Sequence, residues 1–156
     1  RISGTPLYDP DIGSPFILAE DPGYLQHLPV IRGQAGVITG TIAGPFLEKI
    51  LAARGDKAHV IMVKKEIADL ITIDDIIKLD LSTLPGTIIL PGRSFVHISE
   101  AEKVLSADGR DRTVIRGPDM LTADGETSMG MTRDEVVALE LEGFRTLINL
   151  INQWGT

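Results

Sequence analysis

Four short runs rich in valine and isoleucine recur along this chain, nearly free of polar interruption, and helix-like segments separate them. They are GVIT at 36–39, HVIMV at 59–63, TIILP at 87–91 and TVI at 113–115. A strand with one wet face alternates apolar and polar residues, whereas a strand covered on both faces reads as a continuous apolar run. Such runs alternating with helices imply an α/β fold with a small mixed or mostly parallel sheet packed by helices. The order of the strands does not follow from this pattern.

The intervening segments carry helix punctuation. Residues 45–53 read as a helix, because Pro45 is tolerated in a first turn where its missing donor would be unpaired anyway. Phe46, Ile50 and Leu51 then share a face, and Gly55 with Asp56 supplies a stop. Thr72 followed by Asp75 has capping-box spacing, although Leu70, Ile71 and Ile73 could instead form a short strand there. Ser99 with Glu102 predicts a second cap, ahead of a helix over 100–105. The most legible helix follows Thr132, with Glu135 three residues on completing a capping box. Val137, Leu141, Phe144, Ile148 and Ile151 make one stripe, which Val136, Leu147 and Trp154 widen, so that face should be buried.

Before the first run, Pro6, Pro10, Pro15, Pro22 and Pro29 punctuate the chain. They predict an extended N-terminal arm over 1–30, laid through Ile2, Leu7, Phe16, Ile17, Leu18, Leu25 and Leu28 on an α/β domain at 31–156. The chain opens on Arg1 rather than methionine, and we expect a trimmed chain or a domain of a longer protein. A length of 156 residues is enough for one real core.

No cysteine occurs, which removes disulfides, thiolate zinc sites, cysteine nucleophiles and locally ligated iron–sulfur clusters. The net charge of -7 disfavours a nucleic-acid partner, which calls for a concentrated basic face. Arg110, Arg112 and Arg116 alternate with Asp108, Asp111 and Asp119, the mixture expected of a solvated face. No apolar stretch reaches membrane-spanning length, and no charged leader precedes a signal core. We therefore expect a cytoplasmic protein that binds neither nucleic acid nor membrane.

The glycine-rich stretch GQAGVITGTIAGP at 33–45 raises the question of a phosphate cradle. It lacks the lysine and spacing of a nucleotide-hydrolase loop, and it misses the GxGxxG pattern of dinucleotide sites. A looser anion nest at the following helix start would use Thr39, Gly40, Thr41 and Gly44 as substrate-binding residues. Arg93 and Arg116 join them, since guanidinium forks match carboxylate and phosphate geometry. His97 is the catalytic candidate, an acid–base group near a strand exit that titrates close to neutrality when unperturbed. Ser94 precedes it by three residues without a GxSxG elbow. His27 and His59 are too scattered to form a metal motif. Asp119, Asp124 and Glu126 form an acidic loop whose spacing breaks the calcium-loop pattern, so no metal site is assigned and no cofactor is named. Met120, Met129 and Met131 could cover an apolar interface.

Across VITGTIAGPFLEKI, HVIMVKKEIADLITIDDIIKL and TIILPG, the order of elements resembles the uncharacterised α/β domain that follows the radical-SAM core in a family of iron–sulfur proteins. The resemblance spans roughly residues 35 to 105. Lys64, Lys65, Glu66 and Ile67 stand where that family carries an asparagine and a Phe-Phe-Gly stretch, and its cysteine triad is absent. The resemblance implies an accessory or substrate-facing portion rather than a radical-generating one. We thus expect an accessory or substrate- or partner-binding domain of a larger, possibly redox, enzyme. Its partner would be another protein, an additional domain or further copies of itself. A small enzyme acting on an anionic small molecule and a homo-oligomeric structural module are the alternatives.

Overall fold

Period-two alternation in the apolar runs sends their side chains to two separate cores. Val37, Ile89 and Ile115 join one, while Ile38, Ile88 and Val114 join the other. In the computed structural model these runs are strands β1 (Ala35–Thr39), β2 (Ala58–Met62), β3 (Thr87–Leu90) and β4 (Thr113–Arg116). The structure describes residues 18, 22–66, 70–92, 94–118 and 132–155. Arg93, the acidic loop with Asp119, Asp124 and Glu126, the methionines at 120, 129 and 131, and the first seventeen residues of the arm lie outside them.

All four strands are parallel, in the order β2-β1-β3-β4. Helices α1 (Gly44–Ala52), α2 (Ile73–Ile77), α3 (Ile98–Leu105) and α4 (Arg133–Trp154) cover the two faces. Leu47, Ile50 and Leu51 of α1 pack with Phe144, Leu147, Ile148 and Ile151 of α4 on one side. Ile76 of α2 and Ala101 and Leu105 of α3 pack on the other. The result is an α/β protein with a parallel sheet between two helical layers.

Helix α4 is fixed at both ends. Thr132 Oγ1 accepts from Glu135 N at 3.2 Å, and the Glu135 carboxylate accepts from Thr132 N at 3.1 Å. The Thr132 backbone bond first, and the Thr132 hydroxyl after it, hold the Glu135 carboxyl below its ordinary range. At the far end, Asn152 Oδ1 accepts from Arg32 N and Gly33 N at 2.6 and 3.0 Å, beside the entry to β1. The predicted stripe is buried through Phe144, Ile148 and Ile151, while Trp154 stays half exposed and Glu140 is buried. Glu140 Oε1 accepts from the backbone of Leu18 at 3.1 Å. Residues 22–27 form a 3-10 turn, and Leu25 and Leu28 are buried in the same core.

Two local expectations are corrected. Helix α3 starts at Ile98 with His97 at its N-cap, because the Glu102 carboxylate that would have returned a cap to Ser99 accepts from Val114 N at 3.2 Å. Arg112 is no solvated charge. It is 4% exposed, and its guanidinium donates to the carbonyls of Leu105, Leu81 and Pro85 at 2.6, 2.8 and 3.2 Å and to Asp108 at 2.8 Å. A buried guanidinium is tolerable only when its donors are satisfied in this way.

Candidate functional site at the carboxyl edge of the sheet

In open parallel sheets, ligands bind outside the carboxyl ends of the strands, where successive crossovers leave in opposite directions. Here the chain passes from β1 outward to β2, then returns across to β3 and on to β4. The switch point therefore lies between the ends of β1 and β3. A crevice is found there, lined in part by Thr39, Leu90, Pro91, Gly117, Pro118 and Leu147. Its volume is about 20 Å³, enough for roughly one water molecule. Thr39 is 2% exposed, and among the described residues its hydroxyl has no hydrogen-bond partner.

The glycine-rich loop beyond Thr39 serves a backbone crossing. Thr41 N donates to Lys65 O at 2.8 Å, Ile42 N to Glu66 O at 3.2 Å and Gly44 N to Gly40 O at 3.1 Å. A Cβ on Gly40 would lie 2.5 Å from Glu66 O and 2.6 Å from Lys65 O. The segment leaving β2 thus lies directly over the segment leaving β1, and only glycine admits it. Gly44 is buried against Met62, and the Thr41 side chain is exposed.

Beyond β3, Pro91 and residues 94–96 are held from below. Arg116 donates to Val96 O at 2.6 Å, Ser94 O at 3.0 Å and Pro91 O at 3.5 Å. Ser94 Oγ donates to Pro91 O at 3.0 Å, and Ser94 and Val96 are buried. Phe95, between them, is 86% exposed. His97 is exposed and makes no capping bond with its side chain. The structure thus brings Arg116 and Ser94 together as parts of a loop anchor, with His97 at the loop's exit and Thr39 at the neighbouring crevice. Sequence reasoning missed Phe95; its signal was an aromatic residue in a short proline-led loop of a chain with few aromatics.

The fold and this edge define a doubly wound, all-parallel α/β domain. No protein-family model matches the sequence, and no curated protein matches it. The likeness to the domain of radical-SAM iron–sulfur proteins is withdrawn. The chain has no cysteine, and among the described residues no cluster of three or more histidine, aspartate or glutamate side chains could hold a metal ion. The element order that suggested it is shared by parallel α/β sheets at large. Among the described residues, no helix is long and apolar enough to cross a membrane.

Proposed function

We propose that this domain is a partner-binding module that docks a second protein through the loop at 91–96, with Phe95 as its anchor. The observation that carries the proposal is the 86% exposure of Phe95 between two buried neighbours. Three Arg116 hydrogen bonds fix the backbone that presents it. Leaving a phenyl ring in water forgoes roughly 2 kcal/mol of burial. A backbone already held in place loses little conformational entropy on docking, and a phenylalanine side chain has few rotamers to lose. The net charge of -7 argues for a different protein, with a basic rim around an apolar socket, over a second equally acidic copy.

The test is a photo-crosslinking phenylalanine analogue at position 95 in the source cells, followed by affinity measurement with the captured protein in purified form. One discrete protein should crosslink, and Phe95→Ser should weaken its binding roughly 30-fold while leaving the thermal midpoint of the free domain unchanged. Crosslinking only to a second copy, no discrete product, or equal affinity of the serine variant would each overturn the proposal.

A further inference from the structure

We infer that a second site, at the carboxyl end of β2, binds a small molecule that joins an anionic head to an apolar body. The site is a depression of about 280 Å³ between the exit of β2 and helix α2, near the lower end of the size range of small-molecule pockets. Met62, Val63 and Leu79 give it an apolar lining, and Lys64, Lys78, Asp75 and Asp80 supply its charges.

The two carboxylates already serve the backbone. Asp75 Oδ2 accepts from Thr72 N at 2.9 Å and Thr72 Oγ1 at 3.2 Å, and lies 3.7 Å from Lys65 Nζ. Asp80 Oδ1 accepts from Ser82 N at 3.0 Å and Ser82 Oγ at 2.7 Å. These are the capping bonds of α2 and of the 3-10 turn at Leu81–Thr83. They favour the ionised carboxylates and hold both below the ordinary range, the Thr72 backbone bond acting first on Asp75 and the Ser82 hydroxyl first on Asp80.

The lysines stand differently. Among the described residues, neither the Lys64 nor the Lys78 ammonium forms a hydrogen bond or an ion pair, although Lys78 is near enough to Asp75 to help lower its pKa. The lining holds two lysines and two aspartates, and with both carboxylates accepting capping bonds the two ammonium groups are the charges left to meet a ligand. An anion held by Lys64 and Lys78 would give both ammonium groups a counter-charge. An ammonium is a compact point charge without the planar fork of arginine, so carboxylate and phosphate heads both suit it. The lining adds the second requirement. Met62 is 43% exposed, and with its thioether against Gly44 the exposed remainder of the residue adds apolar surface. A bare inorganic anion meets half of this site and a neutral apolar molecule the other half.

The experiment is an amide NMR titration of the whole chain at low ionic strength with phenyl phosphate, benzoate, inorganic phosphate and benzyl alcohol. Phenyl phosphate or benzoate should shift Met62, Val63, Lys64, Lys78 and Leu79 and bind at least about tenfold tighter than inorganic phosphate or benzyl alcohol. Whichever of the two binds tighter identifies the head as phosphate or carboxylate. Lys64→Gln and Lys78→Gln, both at exposed positions, should each weaken binding about tenfold, while Lys103→Gln on α3 and Phe95→Ser leave it unchanged. The Phe95 control separates this site from the docking loop. Shifts confined to other residues, equal weakening by Lys103→Gln, benzyl alcohol binding as tightly as the anions, or inorganic phosphate binding as tightly as phenyl phosphate would overturn the inference. The last of these would mark an adventitious ion only.

Discussion

Gly40→Ala is the substitution that separates a backbone crossing from a ligand cradle. The new methyl carbon would sit 2.5 and 2.6 Å from the carbonyl oxygens of Glu66 and Lys65, which accept from Ile42 N and Thr41 N. Relief requires moving residues 65 and 66 away, which breaks both bonds at about 1 kcal/mol each. Residual overpacking adds about 1–2 kcal/mol, so the total is about 3–4 kcal/mol. For a domain of this size that lowers the thermal midpoint by roughly 5–15 °C. Urea unfolding followed by circular dichroism should show a lower midpoint with an unchanged slope. Gly109→Ala is the control, since Gly109 has φ of 89° with nothing within 4 Å of a built Cβ. It should lose only left-handed strain, about 1–2 kcal/mol, and Gly109→Asn should lose less, because asparagine tolerates that region. A Gly40→Ala loss below about 0.5 kcal/mol, within the range of neutral surface changes, would refute the crossing as the reason for glycine.

Two further outcomes follow from buried or capped groups. Thr39→Val removes a buried hydroxyl without a partner and should raise stability by about 1 kcal/mol in urea unfolding; a loss instead would show that the hydroxyl is bonded. Thr132→Ala should cost about 1 kcal/mol. Because the folded-state pKa of Glu135 is lowered, its stabilisation is fully present above the ordinary glutamate range and disappears as pH falls through the lowered folded value. Glu135→Gln should therefore flatten the acid side of the stability profile, and an unchanged profile would count against the box.

The sheet was legible because the central strands β1 and β3 are buried along their whole length and the partly exposed edge strands β2 and β4 are still rich in valine and isoleucine. The Thr132 box was legible because both partners lie within one turn and nothing distant competes for them. At Ser99 the same spacing misled, since Glu102 finds Val114 N across the sheet and the helix begins at Ile98. Strand order was not legible, because apolar runs record that a strand is buried and not which neighbour it pairs. Arg112 and Arg116 were misread for a related reason. Their alternation with aspartates looks solvated in one dimension, yet each collects carbonyls brought together only by the fold. Of the candidate site residues, Thr39 ends β1 and lines the crevice between the ends of β1 and β3, and Gly40 follows it. Phe95, Lys64 and Lys78 carried no local motif to single them out.

The same fact explains what remains for recognition. Parallel strands end with unpaired amides and carbonyls at the carboxyl edge, and these must find partners. In this chain much of that need is met internally: Lys65 and Glu66 carbonyls take the amides after β1, and Arg116 takes the carbonyls after β3. Edge groups committed to holding loops are poor candidates for a ligand, because releasing them costs the bonds that shape the site. The groups left over are different in kind. Among the described residues, the Lys64 and Lys78 ammonium groups have charge without a bonded partner, and Phe95 has apolar surface without cover. An external anion and an external apolar socket are the two things whose arrival breaks no bond within this edge.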